Sequence, residues 1–175
     1  WHGNPQAFYL LENTSPFLMI DISVIPESNE SKLNEKEIHG KLVFYLDKNG
    51  TEAEAQYRKE RTDEGIGKRK QYLKDTFELF KILPLKEINR GNYIEAFSFY
   101  NSYVLRPLIE LLRIKYGPEE HYNFSSRYVH YELPGDIVKR LEGLYFCKDG
   151  DELRRNYEEG VKWAEELLGE LPPKN

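Results

Sequence analysis

Two hydrophobic periodicities divide the chain, and they meet near residue 65. Before that point the apolar residues come in short β-type runs. Phe8 to Leu11 is one, ended by the turn formers Glu12-Asn13-Thr14-Ser15-Pro16. Phe17 to Ile25 is the strongest, and Pro26 stops it. Lys41 to Leu46 is a third, closed by Asp47-Lys48-Asn49-Gly50, where Asn-Gly suits positive φ. About three strands are therefore expected, too few to bury two faces or to protect the sheet edges. The chain opens on Trp1 rather than methionine. Further strands upstream, another chain or the helical half are expected to complete this sheet.

Beyond residue 65 the spacing is helical. Thr51 to Glu64 is highly charged and reads as an exposed helix or a connector, and Gly65-Ile66-Gly67 reads as its break. Gly-x-Gly here follows no strand and lacks a third glycine, so it is no phosphate loop. Tyr72, Thr76, Phe77, Phe80 and Leu83 then line one face of a helix that Pro84 should end. A long helix is expected from Gly91 or Asn92 to Tyr116, kinked near Tyr103 to Arg106 by Pro107 and stopped by Gly117-Pro118. Pro134 fits a helix start ahead of Ile137, Val138, Leu141, Leu144 and Tyr145. Asp149, with Glu152 three residues on, fits the cap of a last helix carrying Leu153, Tyr157, Val161, Ala164 and Leu168. The fold class is thus α+β, a small partial sheet followed by an antiparallel bundle of four to five helices. The expected division is 1–50 sheet, 51–67 connector and 68–175 bundle.

Composition narrows the function. Charged residues make up 31% and apolar residues 39%, a globular balance. The net charge of -5 resides in Asp149 to Glu170, where eight acids face three bases, so no duplex nucleic acid is expected as a partner. Cys147 is the only cysteine and follows Leu144, Tyr145 and Phe146, so it reads as a core thiol in a reducing, cytoplasmic setting. No apolar run approaches the roughly 20 residues that cross a bilayer, so no membrane partner is expected. His2, His39, His121 and His130 have no metal-ligand spacing.

Two constellations carry candidate chemistry. On the strongest strand Leu18, Ile20, Ile22 and Val24 share one face, and Met19, Asp21 and Ser23 share the other. An aspartate mid-strand must open onto solvent, a cation or a metal, because its charge is costly to bury unpaired. Asp21 is either the exposed side of a half-buried strand or a divalent-metal ligand for phosphoryl chemistry. The second constellation is a stripe on the long helix. At about 100° per residue from Glu95, Ser102 falls near -20°, Arg106 near +20°, Glu110 near +60° and Arg113 near 0°. The stripe is either a solvated edge or a substrate wall, with Glu95 as acceptor or base and Arg106 and Arg113 gripping anions. Lys86 and Arg90 precede it, and Arg127-Tyr128, next to Tyr116, Tyr122 and Tyr131, reads either as aromatics beside an arginine that stack a base or sugar ring or as bundle packing.

The segment from Trp1-His2-Gly3 through Phe17-Leu18-Met19-Ile20-Asp21-Ile22-Ser23-Val24 resembles the later strands of a nucleotidyltransferase domain of the DNA polymerase β superfamily. Asn89-Arg90-Gly91-Asn92-Tyr93-Ile94-Glu95-Ala96, with Leu105-Arg106-Pro107-Leu108 and Lys115-Tyr116-Gly117-Pro118, resembles the C-terminal helical domain of adenylyltransferases of the aminoglycoside type. The resemblance is diffuse and covers most of the chain. It implies Mg²⁺ held partly by Asp21, matching the family's third metal acid, and transfer of a nucleoside monophosphate from a nucleoside triphosphate to a small hydroxyl acceptor. It also implies that the helices bind the acceptor through Lys86, Arg90, Arg106, Arg113, Tyr116 and Arg127. The family's Gly-Ser turn and Asp-x-Asp strand are absent from this sequence and would belong upstream of Trp1; without them this chain alone is expected to be inactive. A rival reading is a non-catalytic interaction module, a degenerate nucleotidyltransferase or a toxin–antitoxin-type partner binder, with a homodimer forming through the incomplete sheet. A third is a ligand-binding bundle unrelated to nucleotides, with a closed apolar pocket.

Overall fold

The computed structural model describes residues 5–29, 34–48 and 55–170. The chain divides into two compact units, Trp1–Tyr57 and Arg58–Asn175.

In the first unit, β1 (Gln6–Leu10) pairs antiparallel with β2 (Met19–Ser23), and α1 (Lys36–His39) is a single turn. Phe8 lies opposite Asp21 and Gln6 opposite Ser23, so these four residues share one face. The connecting loop is tied by Thr14 Oγ1 donating to the Leu11 carbonyl (2.9 Å) and by Leu18 N–H donating to the Ser15 carbonyl (3.0 Å). Among the described residues the sheet has two strands, not three. Residues 41–48 are neither helical nor extended in a ladder. An apolar run becomes a strand only where a neighbour supplies backbone partners, and no described strand pairs with this one. The Asn49-Gly50 turn lies outside the described residues.

The second unit contains α2 (Lys59–Phe80), α3 (Ile82–Arg90), α4 (Tyr93–Tyr100), a π turn (Asn101–Leu105), α5 (Arg106–Tyr116), a 3-10 turn (Glu119–His121), α6 (Val129–Glu132), α7 (Gly135–Tyr145) and α8 (Gly150–Gly169). Gly65 and Gly67 lie inside α2 rather than in a linker. Glycine costs a helix only about 1 kcal/mol, and at residue 65 it leaves room for the end of the Tyr122 side chain. A Cβ there would sit 2.4 Å from the Tyr122 hydroxyl. Helix α2 ends before Pro84, which occupies the first turn of α3 where a missing N–H is tolerated. Gly91, at φ 76°, closes α3. Helix α5 stops at Gly117-Pro118. The Asp149 carboxylate accepts from Glu152 N–H (2.8 Å), and Glu152 in turn accepts from Lys148 N–H (2.8 Å), so both orphan donors at the start of α8 are satisfied. No described helix is long and apolar enough to cross a membrane.

The core gathers on α5 and α8. Leu108, Leu111 and Leu112 meet Leu153, Tyr157 and Ala164, with Leu73 and Phe77 contributed by α2. Helix α8 approaches the π turn so closely that a Cβ at Gly160 would be 3.0 Å from Val104. Tyr100 is fully buried, and its hydroxyl donates to the carbonyls of Leu144 (3.0 Å) and Asn156 (3.3 Å). The Cys147 thiol is half-buried, raised in pKa by that burial, and accepts from Asn156 Nδ2 (3.4 Å). The Leu144 carbonyl retains Asn156 Nδ2 as a second donor (3.3 Å). Tyr100→Phe is therefore expected to cost only about 1 kcal/mol, read as a small fall in the urea midpoint.

Candidate functional site

The site begins with Pro107. Proline has no N–H and its ring crowds the carbonyl four residues back, here Tyr103. The chain answers with the π turn, in which the Arg106 N–H donates to the Asn101 carbonyl. A widened turn rotates each residue by less than an α-helix does, so angles counted from Glu95 at a fixed step lose their phase past Asn101. Glu95 accordingly stands exposed on α4 and lines neither cavity described below. Ser102, Arg106 and Glu110 remain on one stripe, and all three line the same cavity.

Arg106 and Glu110 also form one wall of an open cleft of about 530 Å³ within the helical unit. Helix α2 supplies the facing wall with Gly65, Lys68, Arg69 and Tyr72, and the segment after α5 supplies Tyr122, Asn123 and Ser125. Arg69 holds Glu110 bidentately, with Nε to Oε2 at 2.5 Å and Nη2 to Oε1 at 2.8 Å, and its guanidinium lies 4.6 Å from the centre of the Tyr72 ring. Glu110 is buried, and this hydrogen bond raises the Arg69 pKa further. Lys68 pairs with Glu64 on its own helix at 2.5 Å. Arg106 is exposed, and its side chain makes no hydrogen bond or ion pair among the described residues. A second cavity of about 180 Å³ adjoins the first; Arg69, Tyr72, Arg106 and Glu110 line both, and Leu73, Phe77, Phe80 and Tyr103 line the second beside Thr76 and Ser102.

The segment between α5 and α6 is fastened from beneath by Arg113. This side chain has no exposed surface. Its Nε donates to the Ser125 carbonyl (2.5 Å), and Nη1 donates to Glu132 Oε2 (2.6 Å). Burial disfavours the Glu132 charge, yet the hydrogen bonds from Arg113 and His121 outweigh it and hold the carboxyl below its usual pKa. His121 Nδ1 lies 2.7 Å from Glu132 Oε1, and its ring stacks on Phe124 with centroids 4.2 Å apart. Ser125 and Tyr128 adopt left-handed backbone, at φ 54° and 60°, a conformation that costs side-chain-bearing residues energy. The Arg113 bond to the Ser125 carbonyl helps to hold that shape.

The other predicted residues each have surroundings of their own. Asp21 is exposed on β2, and both its oxygens accept from Gln6 Nε2 (2.8 and 2.9 Å). Lys86 is exposed on α3, and Arg90 pairs with Glu87 at 2.5 Å. Tyr116 lies under the Lys115 ammonium, 5.0 Å from its centroid, and Arg127 lies over Phe124 and Tyr128. None of these lines either cavity. Arg113 is a buried cation of the loop anchor and not a cleft residue. The α2 wall was missed by the sequence reading, which gave Lys68 and Arg69 no role. The available signal was that Lys68, Arg69 and Tyr72 fall within about one turn, ahead of the buried Leu73 and Phe77. Among the described residues no group of three or more His, Cys, Asp or Glu could hold a metal ion.

Compared with known proteins, the chain matches no family model, no curated relative and no solved structure.

Breaking the loop anchor has a signed consequence. Arg113→Met leaves the Glu132 carboxylate without its main partner and is expected to cost about 3–5 kcal/mol. Because Glu132 titrates below its ordinary value, its contribution is fully present above about pH 4.5 and is lost as the pH falls through the lower folded value. The stability difference between the wild type and Glu132→Gln should therefore shrink as urea melts are repeated below pH 4.5.

Proposed function

We propose that the chain is a nucleotidyltransferase-like protein whose helical unit binds the hydroxyl acceptor in the cleft around Arg106. The observation that carries this reading is an exposed arginine without a protein partner, set among Lys68, Asn123 and Ser125 in an open cavity of about 530 Å³. Arginine presents five donors in a rigid fork, and an unpaired one in a concave site is suited to an anionic ligand. In the proposed reaction the acceptor oxygen attacks the α-phosphorus of a nucleoside triphosphate. A new P–O bond forms, the bond to the bridging oxygen breaks, pyrophosphate leaves, and the hydroxyl proton is released. The role of the helical unit is to position the acceptor.

Mg²⁺ would neutralise the phosphate charge in such a reaction. One exposed carboxylate whose two oxygens face a glutamine amide does not make a Mg²⁺ set, since the ion takes six oxygen ligands. No step is therefore assigned through the ion, and Asp21 enters the proposal as a single ligand awaiting others. A second reading, a non-catalytic partner-binding module, is favoured by the β1–β2 hairpin, whose residues from Phe8 to Leu11 and from Phe17 to Ile22 are exposed. On that reading two copies join through the hairpin, which light scattering tests by the mass in solution.

The leading reading predicts that small hydroxyl compounds with an anionic group bind the intact chain, and that Arg106→Gln weakens them at least about tenfold. That corresponds to the loss of one charge-assisted contact of ~1.5 kcal/mol or more. Isothermal titration reads both. Equal affinity in the wild type and the variant would remove Arg106 from the acceptor site. In a longer version carrying a Gly-Ser turn and an Asp-x-Asp strand upstream, acceptor-dependent pyrophosphate release is expected.

A further inference from the structure

The two adjoining cavities share Arg106 but differ in the side chains that stand beside it. The larger compartment carries Lys68, Asn123 and Ser125, and its one lining acid, Glu110, has both oxygens occupied by Arg69. No lining carboxylate is left to receive a cation. The smaller compartment is walled by Leu73, Phe77, Phe80 and Tyr103, with the Phe80 and Tyr103 rings stacked at 5.2 Å. Its volume of about 180 Å³ is close to that of a cavity of ~150 Å³ known to admit benzene, so it suits one six-membered ring. Arg106 lines both compartments and stands at their junction.

We propose that the acceptor is an anionic ring compound, with its carboxylate or phosphate on Arg106 and its ring in the smaller compartment beside the stacked Phe80 and Tyr103 rings. This rests on the reading of the helical unit as the acceptor-binding part. It separates the acceptor from polycationic aminosugars, which would meet an unpaired arginine and no free carboxylate. The Arg69–Glu110 pair keeps the boundary between the compartments in place by holding Arg69 across the Tyr72 ring. Ser102, exposed on the π turn, lines the smaller compartment and is the position from which a larger side chain would fill it.

The test titrates the intact chain with compounds sharing a hydroxylated ring but differing in head group. These are 4-hydroxyphenylacetate, 4-hydroxybenzyl phosphate, neutral 4-hydroxybenzyl alcohol and cationic tyramine, with inorganic phosphate as the ringless control. Binding of either anionic ring compound at least tenfold tighter than tyramine is expected, and the two anions report whether carboxylate or phosphate is preferred. Arg106→Gln should remove that preference. Ser102→Phe should weaken all ring compounds and leave inorganic phosphate unchanged, and Phe80→Ala, at a partly exposed residue, is a second probe of the ring compartment. Equal or tighter binding of tyramine, or ring binding indifferent to Ser102→Phe and Phe80→Ala, overturns the proposed acceptor class while leaving an acceptor site in place. Failure of every hydroxylated compound to bind overturns the acceptor-binding reading itself.

Discussion

The helical unit depends on a single buried cation. Arg113 lies wholly inside, at the C-terminal end of the central helix, and an unpaired guanidinium there would be prohibitively costly. Its partners therefore have to come to it. The segment beyond Gly117 folds back so that the Ser125 carbonyl and the Glu132 carboxylate reach the guanidinium, and His121 joins through the second Glu132 oxygen. This fixes a loop that local propensity would leave free, including two left-handed residues with full side chains. The same loop brings Tyr122, Asn123 and Ser125 to the rim of the cleft. The electrostatic demand of one side chain on the inside shapes a binding surface on the outside.

A second constraint acts on the opposite wall. Pro107 interrupts the central helix, and the π turn that absorbs it places Ser102 and Arg106 on the smaller cavity together. The facing helix α2 has to come close, and Gly65 permits this where a larger residue would strike the Tyr122 hydroxyl. Arg69 crosses the gap to neutralise Glu110, leaving Arg106 as the cation without a protein partner. Neutralising one carboxylate buried in the wall thus determines which charge is left for a ligand.

Much of the helical unit could be read from the chain itself. Pro84, Gly91, Gly117-Pro118, Pro134 and Asp149 mark helix boundaries close to where the structure has them, because caps and breakers act through local backbone geometry. The π turn was foreshadowed by Pro107 for the same reason. The strand segments were less legible. Phe17 to Ile25 and Lys41 to Leu46 look alike as apolar runs, yet only the first forms part of a ladder among the described residues, since a strand depends on what lies beside it.

The candidate site shows the same division. The sequence by itself determined that a stripe of polar residues runs along an apolar central helix, that Pro107 disturbs it and that Arg106 belongs to it. Only the tertiary structure decided that Arg113, on the same stripe, is enclosed by a returning loop, that Glu95 falls out of phase and that Arg69 pairs with Glu110 41 residues away. The reason is physical. Periodicity records which side of an element a residue occupies, whereas the cost of burying a charge is settled by groups that chain folding brings from elsewhere, and no local pattern encodes them.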